Sequence, residues 1–517
     1  MKNSRLKKII NLENILYIFI IISPILDIAS FIFRNYFGTS LSISTVLRPV
    51  LPIIAITYIF FKDKIKCKLL TASLMYGLYA ALHLYVFYLI KTECAYGNII
   101  RELQYVVNYT FMVMNLFLYL YVFIFRKKKI NDFTELNIEK MKKAILISFT
   151  LYISLMFVSI LTGTSSHTYK EDAMGYKGWF ESGNSVGAIM ILMLFTILPL
   201  LENKNSKVTR IWALINVILS GIYLTTLLGT RVGLLGFALV IFTYIICEIF
   251  VKLRTDKKLN KKIVGIGATV FVVALIAVIF VGQNFLSRRK LLKEREDLIY
   301  DESLGTSSHV TGDILKMVEQ IKLNEIAETY MSVPMQKALI DLYDFNNLHN
   351  VPNTNMRITQ LVYHTALVME QKDICTILFG NGFMTHYYEL IFEMEVPAFL
   401  YNFGIYGFVL YFVPFAIIAL YGLYAGLKNI KKINVDVVMS ILGVNFAIIV
   451  SFLSGYTFFN QSTVTIIIAT STITIYNIIK LKGENSEKEN NIWNNKPYIR
   501  GRRTSISRYS KQTSGKI

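Results

Sequence analysis

The chain has 517 residues, 54% of them hydrophobic and 14% aromatic, and a mean hydropathy of +0.48. So apolar a composition excludes an ordinary water-soluble domain, part of whose surface must be polar. The net charge of +20 points at first to nucleic acid, but Lys and Arg fall in short clusters between apolar runs, which is the pattern of membrane topology determinants.

Runs of about 18 or more apolar residues read as transmembrane helices, and their lack of period-two alternation excludes a β-barrel. Twelve spans are expected, at about 14–33, 45–61, 69–90, 103–125, 144–162, 183–201, 211–229, 231–251, 263–282, 396–425, 435–456 and 463–481. The fold class is therefore an all-α polytopic membrane bundle. The first run continues too far for a cleaved leader and has no small-residue cleavage site. Basic clusters at Lys2 to Lys8, Lys62 to Lys68, Arg126 to Lys129, Lys252 to Lys262 and Lys428 to Lys432 place the N-terminus in the cytoplasm. An even number of spans brings the C-terminus to the same side.

The organisation that follows is nine spans in 1–282, an extracytoplasmic helical loop in 283–395, three spans in 396–481 and a basic, unstructured cytoplasmic tail in 482–517. Within the loop, Thr311 to Met331 and Asn355 to Gln371 read as amphipathic helices, the second with Asn355 as its N-cap. A long loop with structure of its own is more often functional than a tether. Cys67, Cys94, Cys247 and Cys375 form no metal-ligand spacing, and Cys94 and Cys375 share the outer side, where a disulfide between them is open.

Three arginines stand near the outer ends of spans, where topology-setting charge is least expected: Arg48 in the second, Arg101 opening the fourth, and Arg231 between Gly229 and Gly233 at the start of the eighth. An arginine at such depth is costly and calls for a partner or a purpose. The planar guanidinium suits phosphate oxygens; the plainer alternatives are snorkelling or, for Arg101, pairing with Glu93 or Glu102. In the loop, Arg357 lies on a predicted helix, and Leu378-Phe379-Gly380-Asn381-Gly382-Phe383 forms a glycine-containing turn without the Lys-Ser/Thr of a P-loop. His386, Glu389, Glu393 and Glu395 then approach the membrane before Pro397, where a carboxylate beside arginines has the setting of a general base. His83, inside a span, reads as a packed, hydrogen-bonded residue. No HExxH or GxSxG motif occurs.

Four stretches in this order resemble the superfamily of O-antigen ligases and polymerases, especially its Gram-positive polysaccharide polymerase branch. They are Gly178-Trp179-Phe180-Glu181-Ser182-Gly183-Asn184-Ser185, then Gly229-Thr230-Arg231-Val232-Gly233, then the loop with Arg357 and Phe379 to Phe383, then Glu393-Met394-Glu395 followed by Phe403-Gly404-Ile405-Tyr406-Gly407-Phe408. The resemblance implies a GT-C type glycosyltransferase that needs no metal or other cofactor. Its donor would be a glycan on undecaprenyl diphosphate, joined to an acceptor glycan on the outer face of the cytoplasmic membrane to build capsule, exopolysaccharide or an O-antigen-like polymer. Partners so implied are membrane lipids, a flippase and chain-length regulator proteins, and no nucleic acid. Carried over, Arg231 and Arg357 hold the leaving diphosphate, Arg48, Arg101, Asn184 and His386 bind the donor, and the base is one of Glu393, Glu395 or His386. Where many ligases have a His-Asn pair, this chain has Glu393-Met394-Glu395. The competing reading from another class, a flippase for lipid-linked oligosaccharide, predicts internal repeats, and the two halves show none.

Overall fold

The computed structural model describes residues 12–37, 43–62, 66–92, 98–126, 132–169, 173–202, 206–254, 314–349, 356–383, 392–453 and 457–494, with a few single positions between them. The chain is a helical membrane bundle. Its helices are α1 (Leu12–Phe37), α2 (Ile43–Lys62), α3 (Lys66–Thr92), α4 (Ile99–Leu120), α5 (Asp132–Leu161), α6 (Gly183–Ile197), α7 (Lys207–Ile222) and α8 (Arg231–Arg254), then α9 (Ile314–Lys322), α10 (Val333–Leu348), α11 (Met356–Gln371) and α12 (Ile374–Phe379), and finally α13 (Glu395–Tyr411), α14 (Val413–Lys428), α15 (Val435–Leu453) and α16 (Gln461–Asn494). Among the described residues nine helices are long and apolar enough to cross a membrane, and the pair α13–α14, bent by 50°, counts as a tenth only if it is one broken span rather than a re-entrant loop. The apolar part of α2, Arg48–Phe61, is shorter. The expected span at 263–282 lies outside the described residues.

Helices α6 and α16 form the axis. In each, 83% of the apolar window is buried inside the protein, against 28–61% for the other single spans. Both begin at a side-chain cap at the same end of the bundle. Ser182 accepts the Ser185 N–H, and Asn460 accepts the N–H groups of Ser462 and Thr463. Such caps satisfy amides that the first helical turn leaves without partners.

Between α5 and α6 the chain forms an antiparallel hairpin, β1 (Ser166–Tyr169) with β2 (Met174–Gly178), which the sequence did not lead us to expect. The hairpin is tied to the turn before α8: Thr168 Oγ1 donates to the Leu228 carbonyl at 2.8 Å, and Tyr223 Oη donates to the Tyr176 carbonyl at 2.8 Å. We refer to this as the hairpin end. The opposite end carries a buried lysine, Lys142, held at 2.9 Å by both Glu139 and Asp436. Two carboxylates balance a charge that would otherwise be costly there.

The helices before α13 form a small layer of their own at the hairpin end. Val318, Met335, Leu339 and Tyr363 pack with Phe87 of α3 in a separate apolar cluster. The helix expected over Thr311 to Met331 is present only as α9, because the chain turns at Asn324 (φ 55°) and restarts as α10 with a proline in its first turn. Helix α11 matches the expected one; its expected cap, Asn355, lies outside the described residues. Cys375 is an exposed free thiol; Cys94, with which a disulfide was left open, lies outside the described residues.

Candidate active site

A cavity of about 160 Å³ opens at the hairpin end, where α1, α2, α4 and the N-termini of α6 and α16 converge. Its walls combine charge with aromatic surface: Asp27 and Arg34 from α1, Arg48 from α2, Tyr105, Asn108 and Tyr109 from α4, Phe180 and Glu181 from the turn after β2, and Phe459, Asn460 and Gln461 before and at the start of α16.

Arg48 is buried and held on one side. Its Nη2 donates to Asp27 Oδ1 at 2.7 Å and to the Ser462 hydroxyl, while Tyr152 Oη donates to Asp27 Oδ2 at 2.7 Å. Among the described residues, the Nε of Arg48 has no hydrogen-bond partner, and neither has the buried Oγ of Ser185. Both residues line the cavity. Leaving a buried donor unsatisfied is unfavourable, which makes these two groups candidates to bond a polar ligand. Two helix N-termini add partial positive charge at the same place.

The second ion pair is looser. Arg34 Nη1 lies 3.3 Å from Glu181 Oε2, and both side chains are half exposed. Burial raises the Glu181 carboxyl above its ordinary range; the Arg34 guanidinium pulls it back down, Asp27 raises it further, and Arg48 and Lys177 lower it. A carboxyl so raised, lying in a cleft beside arginines, is a candidate base.

The motif stretches pack in pairs, and the first of them, Phe180 to Ser185, reaches the cavity wall. A Cβ built on Gly183 would come 3.4 Å from Thr230 Cγ2, and one on Gly187 would come 3.4 Å from the Gly233 nitrogen. The turn bearing Asn184 and the turn bearing Arg231 are thus neighbours. The third and fourth stretches dock through backbone: Asn381 N–H donates to the Tyr401 carbonyl at 3.0 Å and Gly382 N–H to the Asn402 carbonyl at 2.8 Å. Arg357 and Glu393 also meet, with Nε 3.5 Å from Oε2 in an exposed pair.

The sequence profile of the family described as O-antigen ligase like membrane protein matches residues 11–484. The chain belongs to that family. It is accordingly a membrane enzyme that transfers glycosyl groups in surface polysaccharide assembly. No curated protein matches it.

In this O-antigen ligase like chain the residues singled out from sequence fall in three places. Arg48 lines the cavity, with Asn184 half-buried beside Ser185. Arg231, Arg357, Glu393 and Arg101 are exposed at the same end and do not line it. Glu395 is fully buried: its carboxylate accepts the N–H groups of Thr457 at 2.6 Å, Phe458 at 2.7 Å and Phe459 at 2.8 Å. It anchors the loop that carries Phe459 to the cavity wall. His386 and Glu389 lie outside the described residues.

Sequence reading passed over Asp27 and Arg34, and it quoted Glu181 without giving it a role. A signal was there. Asp27 and Arg34 are seven residues apart in the first span, two helical turns on one face, and ionisable residues within a span are functional candidates by default.

Proposed function

We propose that this enzyme joins glycan units carried on undecaprenyl diphosphate, polymerising or ligating them in metal-independent fashion, with the hairpin end facing out of the cytoplasmic membrane. The observation that carries the reading is the cavity where Arg48 Nε and Ser185 Oγ lack partners beneath two helix N-termini. An anionic diphosphate supplies the acceptors those donors need, and Arg48 is already fixed in place by Asp27.

In this reading the diphosphate binds Arg48 and draws Arg34 away from Glu181. The freed Glu181 carboxylate takes the proton of the acceptor hydroxyl as its oxygen bonds to the anomeric carbon of the donor. The bond from that carbon to the phosphate oxygen breaks, and the lipid diphosphate leaves with the electron pair. Preorganised guanidinium and helix-terminal charge stabilises the leaving group. Losing Arg34 as a partner makes Glu181 more basic at the moment it is needed. Aromatic rings of Tyr105, Tyr109, Phe180 and Phe459 offer faces for sugar rings. Arg231, Arg357 and Arg101, exposed nearby, gather the anionic donor at the mouth, and Asn184 contacts it. Glu393, paired with Arg357, stays a candidate for the acceptor side.

Purified full-length chain in nanodiscs, given an undecaprenyl-diphosphate-linked oligosaccharide, should form a new glycosidic bond and release undecaprenyl diphosphate. Arg48→Ala should lower transfer by about 10²–10³-fold, as removal of one preorganised charge-stabilising donor does. Donor that crosses the bilayer with no bond formed, or Arg48→Ala with unchanged transfer, overturns the reading.

A further inference from the structure

We infer that His83 of α3 and Glu102 of α4 are positioning residues for the glycosyl-transfer site, acting as a buried clamp on the turn from Phe379 to Phe383. The inference rests on the cavity assignment above and extends it to two residues outside the cavity.

Both side chains are fully buried at 0% and 1% exposure. His83 Nδ1 lies 2.6 Å from the Phe379 carbonyl, which only accepts, so Nδ1 carries a proton. Nε2 lies 2.8 Å from Glu102 Oε1, and a single further proton is shared across that contact. The pair is therefore net neutral whichever partner holds that proton, which is how two ionisable groups are tolerated inside a membrane bundle. Glu102 Oε2 accepts the Phe383 N–H at 2.9 Å. The dyad thus grips a carbonyl on one side of Gly380-Asn381-Gly382 and an amide on the other. Gly382 makes the approach possible: a Cβ there would lie 2.3 Å from the Phe87 ring and 3.1 Å from the Glu102 carboxyl carbon.

The clamp reaches the cavity wall through aromatic rings, most directly through Phe383. Phe383, held by its amide, stacks on Tyr105 with centroids 4.0 Å apart and meets Phe459 at 5.9 Å. Tyr105 and Phe459 both line the cavity. His83 and Glu102 therefore set a wall of the site from behind without touching its contents.

Glu102→Gln separates a positioning role from any role of charge. Its carbonyl can still accept the Phe383 N–H, and its amide can donate to Nε2 of a neutral imidazole protonated on Nδ1, so every contact survives. Glu102→Ala loses them. In nanodiscs, with no donor present, hydrogen exchange of the peptide containing Phe383 should stay slow in wild type and Glu102→Gln and speed up at least about tenfold in Glu102→Ala. Binding of undecaprenyl diphosphate and glycan transfer should follow the same order, with Glu102→Ala down about 10–100-fold, the range found when groups that orient metal ligands are removed. Should Glu102→Ala not accumulate, Glu102→Gln decides alone, and near wild-type transfer is required of it. A folded, exchange-protected Glu102→Gln without transfer, or a Glu102→Ala with unchanged exchange, overturns the inference. If exchange behaves as stated but wild type does not bind undecaprenyl diphosphate, the cavity assignment fails and the clamp does not.

Discussion

At the scale of single residues, Glu395 and Glu181, both at the hairpin end, separate by their surroundings. Glu395 has both oxygens engaged by backbone N–H groups and no exposure, so its carboxylate serves the backbone rather than a substrate. Glu395→Gln leaves one oxygen for three donors and should destabilise the protein by about 1–3 kcal/mol, read as a lower thermal midpoint in detergent. Glu181 faces the cavity and has a raised carboxyl. If it is the base, transfer needs its unprotonated form, so the rate should fall as pH drops through that raised value. The acid limb should thus lie above the roughly 4.3 of an exposed glutamate. Arg34 lowers Glu181 in the free enzyme, and in the proposed mechanism bound diphosphate takes Arg34 away. The limb of kcat should therefore lie at higher pH than that of kcat/KM, Arg34→Ala should move the kcat/KM limb upward, and Glu181→Gln should remove transfer with the fold intact. Coincident limbs, or activity in Glu181→Gln, would assign the base elsewhere. Of these residues only Arg48 and Glu395 stood out in sequence. A lone arginine in an apolar run is visible at once, whereas the role of a glutamate depends on whether backbone amides or open space surround it, and nothing local records that.

At the scale of elements, long apolar runs were legible because a membrane helix must satisfy its own backbone and shows this as continuous hydrophobicity. Breaks and short elements were not. The hairpin before α6 has half-buried residues along β1 and no clean alternation, and it is tied to Tyr223 and Leu228, 47 and 60 residues beyond their partners. The break inside α13 is likewise long-range. Gly404, at φ 68° and ψ −177°, sits in a region essentially reserved for glycine, as does Gly380 at φ 88° and ψ 164°. The two meet: a Cβ on Gly380 would lie 2.2 Å from the Asn402 carbonyl oxygen, and one on Gly404 would lie 2.5 Å from the Gly380 nitrogen. Neither conflict is with a flexible side chain, so the backbone itself would have to part. Gly380→Ala and Gly404→Ala should each cost at least about 1–3 kcal/mol from conformation alone, and each should undock the turn that the dyad grips. Limited proteolysis near Phe383 measures this directly: faster cleavage in both variants is expected, and cleavage unchanged from wild type would mean the turn is held by other contacts.

For the molecule as a whole, the charge pattern and the architecture make one joint statement about sidedness. The basic cluster Lys428 to Lys432 and the Lys142 and Lys480 ion pairs with Asp436 and Glu135 lie at one end of the bundle, and the cavity, the hairpin and helices α9 to α12 lie at the other. If lysine-rich turns stay in the cytoplasm, the cavity opens outward, where a lipid-linked donor would be met after it has crossed the membrane. Cys375 tests this, because it is an exposed free thiol in the first turn of α12, in the layer that covers the hairpin end. In a chain retaining only that cysteine, with Cys67, Cys94 and Cys247 changed to serine, a membrane-impermeant maleimide should label Cys375 in intact cells. Labelling that appears only after the membrane is opened would turn the bundle over. It would also remove the outer-face donor from the proposal while leaving the cavity and its arginines as they are, since their arrangement does not depend on which side they face.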